Sequence, residues 1–135
     1  MPEASNIFKI YMQDTGLFVA MLEEGSAGRI LSGELGMYKG AIYENIVADA
    51  FSKSGRSLFY FHKESGLEID FITPLDAEVT LVEVKATNGN AKSANTVLKN
   101  KDQYGVNRCI KLSANNVGQV GEKLTLPYYM IFLLN

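Results

Sequence analysis

Along the chain the apolar positions change period several times, and each change marks an element. From Tyr38 to Ser54, Ile42, Tyr43, Ile46, Val47, Ala50 and Phe51 recur at helical spacing and fill about half the wheel, which predicts the strongest helix, closed by Gly55. Ahead of it, Thr15 to Glu24 predicts a shorter helix with Leu17, Ala20 and Met21 on one side, ended by Gly25 or Gly28. Ile7 to Tyr11 reads as a short strand or extended opening segment, and Gly33 to Gly40 as an irregular lead-in. After the long helix come Leu58 to His62, then Glu68 to Thr73 behind a Glu-Ser-Gly turn, then Thr80 to Ala86 behind a Pro74–Glu78 loop, all strand-like. Thr87 to Asn90 is turn chemistry, and Ser93 to Tyr104 predicts a second long helix that Ser93 can cap at its start and Gly105 at its end. Arg108 to Leu112 is a fourth strand and Leu124 to Leu134 a fifth, broken near Pro127. A strand meander joined through a helix to further strands implies an α/β fold: a mixed central sheet of about four to five strands flanked by helices.

Composition narrows the class without naming a function. A chain of 135 residues, 47% apolar and 21% charged, fits one ordinary globular domain over residues 1–135, with a real core, and excludes a disordered, collagenous or coiled-coil chain. The net charge of −2 excludes a generic nucleic-acid glue. The charge is nevertheless uneven: 12 acidic and 6 basic residues up to Val82, then 3 acidic and 7 basic from Glu83 onward. Most of the later lysines read as a solvated face, although a basic side flanking an acidic site suits a polyanionic substrate. The single cysteine, Cys109, lies in a strand-like run, which makes it a buried inert thiol and fits a reducing compartment. The first six residues lack signal-peptide character, and no apolar run approaches the roughly 20 residues of a membrane helix, so the expectation is a cytoplasmic protein with no membrane partner.

The chemistry is concentrated in Glu68-Ile-Asp70-Phe-Ile and Leu81-Val-Glu83-Val-Lys85-Ala. Side chains alternate across a strand, so Glu68, Asp70 and Ile72 are expected on one face and Ile69 and Phe71 on the other. In the next strand Leu81, Glu83 and Lys85 share a face, and pairing of the two strands would bring Asp70, Glu83 and Lys85 together. Carboxylates inside apolar strands end up paired or on a metal, because desolvating them alone is expensive. A hard divalent cation takes oxygen ligands and often only one or two protein carboxylates, which Asp70, Glu83 and the carbonyl of Val84 would supply. Lys85 would then hold or deprotonate the attacking water. Glu44, at the edge of the apolar arc of the long helix, can lean toward the sheet. Each piece alone is weak, since Glu-Val-Lys also occurs as a surface ion pair; the combination on successive strands is what points to a site.

These segments, with Gly40-Ala-Ile-Tyr-Glu44-Asn-Ile-Val-Ala-Asp-Ala-Phe and Val82-Glu83-Val-Lys85-Ala-Thr, resemble the PD-(D/E)XK nuclease-like superfamily with its restriction-endonuclease-like fold. The chain is most similar to the domain of unknown function that lies C-terminal to AAA-type ATPase modules in bacteria and archaea, including its opening Lys9-Ile-Tyr-Met-Gln-Asp14-Thr-Gly-Leu-Phe. Carried over residue by residue, the resemblance implies Glu44 as the helix glutamate, Asp70 as the strand-end aspartate, and Glu83 and Lys85 as the Glu-X-Lys pair. It further implies Mg²⁺ or Mn²⁺ as cofactor, DNA as a partner, and an ATPase module elsewhere in a longer protein. Ile69 stands where the motif name has proline, and His62 or Lys63 where an arginine often precedes the aspartate. No G-x-x-x-x-G-K-[ST] occurs, so no ATPase activity is expected of this chain alone. Two functions are therefore expected in competition: metal-dependent phosphodiester hydrolysis, or a catalytically inactive interaction module that docks the ATPase or a partner protein.

Overall fold

The structure, a computed structural model, describes residues 7–87 and 89–134. Its centre is a mixed sheet of six strands: β1 (Phe59–His62), β2 (Glu68–Leu75), β3 (Glu78–Val84), β4 (Arg108–Ser113), β5 (Gly118–Val120) and β6 (Lys123–Pro127). Their spatial order is β1-β2-β3-β4-β6-β5. The β1, β2 and β3 meander is antiparallel, β3, β4 and β6 are parallel, and β5 returns antiparallel on β6. Two parallel neighbours need a crossover. Between β3 and β4 this is α4 (Lys92–Lys99) with α5 (Lys101–Tyr104), the second ended by Gly105 in the left-handed conformation at φ 65°.

Each face of the sheet carries its own core. On one side α3 (Lys39–Lys53) lays Val47, Ala48 and Phe51 against Phe71, Val82, Val84, Ile110 and Leu112. On the other, α4 packs Ala94, Val97 and Leu98 against Ile69, Leu81 and Cys109. The strong alternation in β3 and β4 produces this division: Val82 and Val84 face α3, while Leu81 faces α4. Ahead of α3 lie α1 (Thr15–Ala20), capped by the Asp14 carboxylate on the Leu17 amide at 2.9 Å, and α2 (Ser26–Leu31). No described helix is long and apolar enough to cross a membrane.

The mixed α/β sheet with flanking helices is the expected fold, and the added strand is the short, exposed β5. Three expectations need correction. Tyr128–Leu133 is a 3-10 helix, because Pro127 donates no ladder hydrogen bond and only Ile131 of the run is deeply buried, a spacing no strand satisfies. Ser93 does not cap α4; its hydroxyl accepts from the Glu68 amide at 3.2 Å, and Ala91 precedes the helix without a side-chain cap. The Pro74–Glu78 loop is a two-residue turn at Asp76 and Ala77, with β2 running on through Leu75. Of the two readings of Ile7 to Tyr11 the opening segment holds, since it forms no strand and pairs with none of the described strands. The Thr87–Asn90 turn includes Asn88, which lies outside the described residues.

Candidate functional site at a split in the sheet

The site begins with a fault in β2. Pairing with β1 runs Phe59↔Ile72, then Phe61↔Ile69, so three steps of β2 oppose two of β1. That is a bulge, and it breaks the alternation across Asp70 and Phe71. Ile69 and Ile72 consequently both pack on the α4 side, while Phe71 packs under α3. Ile69 and Phe71 therefore do not share a face, contrary to strict alternation.

The same bulge ends the β2–β3 ladder. Every second pair along it is Leu75↔Glu78, Thr73↔Thr80 and Phe71↔Val82, and the next in step would join Ile69 to Val84. Instead the Val84 amide donates to Asp70 Oδ2 at 2.8 Å, so a side chain replaces the missing carbonyl. A buried hydrogen bond to a charged group contributes about 1.5–3 kcal/mol. A strand residue's N–H and C=O point the same way, so the Val84 carbonyl also faces the split. On its other side β3 stays paired: the Lys85 amide donates to Leu112 O at 2.9 Å.

Glu83 and Lys85 arrive by ordinary alternation. Glu83 is 1% exposed, and its Oε2 accepts from Lys85 Nζ at 2.5 Å. Its Oε1 is buried with no partner among the described residues. Lys85 Nζ also lies 3.6 Å from Asp70 Oδ2. Glu44 leans in from α3, accepting from the Tyr11 hydroxyl at 3.2 Å. Glu44, Glu68, Asp70, Glu83 and Lys85 line one open depression, together with Asn90, Lys92 and Ser93 around the start of α4. The structure thus brings together all four residues that the sequence singled out.

Sequence reasoning did not find Lys9, Tyr11 and Asn45. Lys9 Nζ sits among three carboxylates: 2.7 Å from Glu68, 3.6 Å from Glu44 and 4.0 Å from Asp70 Oδ1. Buried Asn45 holds the segment that carries Lys9, accepting from the Met12 amide at 2.8 Å and donating to its carbonyl at 3.0 Å. Tyr11 packs on Phe71 with ring centroids 5.4 Å apart. Lys9 lies 35 positions before Glu44, and no local pattern signals the contact. Lys63 is turned away from the site, donating to the Tyr104 hydroxyl at 2.8 Å.

Electrostatics follow the crowding. Burial, and then the Asp70 charge, push Glu44 above the ordinary glutamate pKa. Burial raises Glu83 as well, its bond from Lys85 offsetting part of the effect. Burial works against charged Lys85, but the hydrogen bond to Glu83 and the Asp70 charge outweigh it and hold its pKa above the usual lysine value. Tyr11 is raised by burial and by Glu44, and so remains a proton donor.

Among the described residues no three His, Cys, Asp or Glu side chains are grouped closely enough to hold a metal ion by themselves. The donors at the split are two carboxylates and a backbone carbonyl, all oxygen, which suits Mg²⁺ with its retained waters and not a tetrahedral zinc centre. The unpartnered buried Glu83 Oε1 fits the same reading, since such an oxygen normally has a hydrogen-bond or metal partner.

Fold and cluster define a mixed α/β domain with an acidic, lysine-paired site where its central sheet divides. Over residues 39–129 the chain matches the family described as a domain of unknown function (DUF4143), and it belongs to that family. The matched span contains Glu44, Asp70, Glu83 and Lys85 and excludes Lys9 and Tyr11. Comparison with curated proteins and with solved structures found no match.

Proposed function

We propose that this domain is a PD-(D/E)XK-type phosphodiesterase that uses Mg²⁺ or Mn²⁺ on DNA and forms the C-terminal part of a longer AAA-type ATPase. The observation that carries the reading is Glu83: a fully buried carboxylate with one oxygen on Lys85 and the other unpartnered, beside Asp70 at the open split of the sheet. Asp70, Glu83 and the Val84 carbonyl would hold the ion, with Glu44 reaching it through water. A bound divalent ion would supply charge neutralisation at the phosphate and acidify a water. Lys85 is held protonated in the metal-free site, so its part is to orient the water and stabilise developing charge. Lys92, at the edge of the depression, offers a further cation to a polyanionic strand.

The rival reading, an interaction module with a vestigial site, is favoured by one observation: Lys9 and Lys85 already satisfy most of the carboxylates without a metal. Calorimetric titration with Mn²⁺ and cleavage assays on branched, single-stranded and duplex DNA separate the two. A nuclease binds the ion and cuts at least one substrate, and both Asp70→Ala and Lys85→Ala abolish cutting, Lys85→Ala with little loss of DNA binding. Cutting that survives both substitutions overturns the assignment, as does an absence of both metal binding and cutting.

A further inference from the structure

We infer that Lys9 is a built-in counter-ion of this site, holding the carboxylates until a divalent ion displaces it, so that residues 7–12 form a metal-responsive latch. The inference rests on the metal-site reading above and adds to it a mode of regulation.

Among the described residues, the latch is anchored at its C-terminal end. Met12 is clamped by both its backbone groups to Asn45, and Tyr11 is fixed by Phe71 and Glu44. Before Tyr11 the anchoring stops. Ile7, Phe8 and Ile10 are 55%, 74% and 78% exposed, so apolar burial holds little of this half. Among the described residues no backbone–backbone hydrogen bond ties residues 7 to 11. What remains is Lys9, with its three carboxylate contacts and the Tyr60 ring 5.7 Å from its ammonium.

The two lysines divide the oxygens of Asp70 between them. Oδ2 is committed to the Val84 amide and Lys85, at the end of β3 and just beyond it. Oδ1 faces Lys9, whose backbone makes no backbone–backbone hydrogen bond among the described residues. The Asp70 oxygen open to a cation is therefore the one that Lys9 neutralises. A divalent ion taking that oxygen would stand beside the ammonium, and like charges at such a distance repel. Withdrawal of Lys9 relieves the repulsion and releases a cation at the mouth of the site, where a phosphate group would approach.

The test uses the 135-residue chain. Mn²⁺ affinity is measured by calorimetry for wild type, Lys9→Met, Lys9→Gln and Lys9→Arg. Trypsin cleavage at the Lys9–Ile10 bond of wild type is followed by mass spectrometry with and without Mn²⁺. The latch predicts affinity on the order of tenfold tighter in Lys9→Met and Lys9→Gln, the scale of one lost charge contact. It predicts near wild-type affinity in Lys9→Arg, and faster cleavage after Lys9 when Mn²⁺ binds. Equal or weaker affinity in the neutral variants, or cleavage that Mn²⁺ leaves unchanged while it binds, overturns the latch and leaves the metal site standing. Absence of Mn²⁺ binding in every variant overturns the metal site and the latch with it.

Discussion

Replacing Asn45 by alanine tests how the chain ahead of α3 is held to the site. Asn45 is 3% exposed and makes three hydrogen bonds: two to the Met12 backbone and one to Thr15 Oγ1 at 2.9 Å. At about 1 kcal/mol net each, their loss costs roughly 3 kcal/mol. Alanine is a better residue for a helix interior than asparagine by about 0.6 kcal/mol, which offsets part of that. Met12 is half-buried, so water recovers some of its bonding once the clamp is gone. The expected net loss is about 2 kcal/mol, which for a domain of this size lowers Tm by roughly 6–8 °C. Urea denaturation should show the midpoint falling at unchanged slope, because the core that unfolds is the same. Trypsin should cut after Lys9 faster than in wild type. A stability loss under about 0.5 kcal/mol with unchanged cleavage would refute the clamp, since deletion of a buried, bonded amide cannot be that mild.

Glu44→Gln is expected to raise the metal-free Tm at neutral pH and to leave it nearly unchanged in acid. A carboxyl whose folded pKa is raised contributes stability below its unfolded pKa and loses it as pH rises through the folded value, so removing the charge helps only above that window; a variant less stable at pH 7 contradicts the sign. Ala77→Gly should stabilise by about 1 kcal/mol in chemical denaturation, because Ala77 sits at φ 62° in the turn between β2 and β3; a destabilised variant would mean that the methyl makes contacts worth more than the strain. Cys109, fully buried with its thiol pushed up to about 12, should resist aromatic disulfide reagents at pH 8 in the native state and react within the dead time in denaturant; rapid native labelling would mean that the α4 side opens.

The legible parts of this chain are those where one local rule acts alone. The long helix announces itself because its apolar positions keep helical spacing over four turns, and observed α3 differs by a residue at each end. Glu83 and Lys85 fall together because they stand two positions apart, at the end of β3 and just beyond it, where side chains repeat with period two. Asp70 reaches them by a different route from the one alternation suggests: the bulge takes it out of the ladder, and nothing in Glu-Ile-Asp-Phe-Ile marks an extra residue. The turn at Asp76 and Ala77 was hidden for a related reason. Two successive residues at positive φ normally carry an Asn-Gly signature, and Asp-Ala does not. Strand β5 is exposed throughout and has no apolar rhythm to read. The seven apolar residues from Tyr128 have too much of it: an unbroken apolar run has no period, and Pro127 at their head decides for the 3-10 helix. Lys9 depends on tertiary placement alone.

The turn joining β2 to β3 lies at the far end of the hairpin from the split. Asp70 stands six residues before Asp76, so along an extended strand the two are about 20 Å apart. Arg108 reaches over this tip, pairing with Asp76 at 2.9 Å and donating to the Leu75 carbonyl at 3.4 Å. Added length there would be absorbed outside the ladder, as surface loops tolerate insertion at small entropic cost. The hairpin tip is thus a port: a fluorescent tag or affinity peptide spliced between Ala77 and Glu78 would report on the domain while Asp70, Glu83 and Lys85 kept their places.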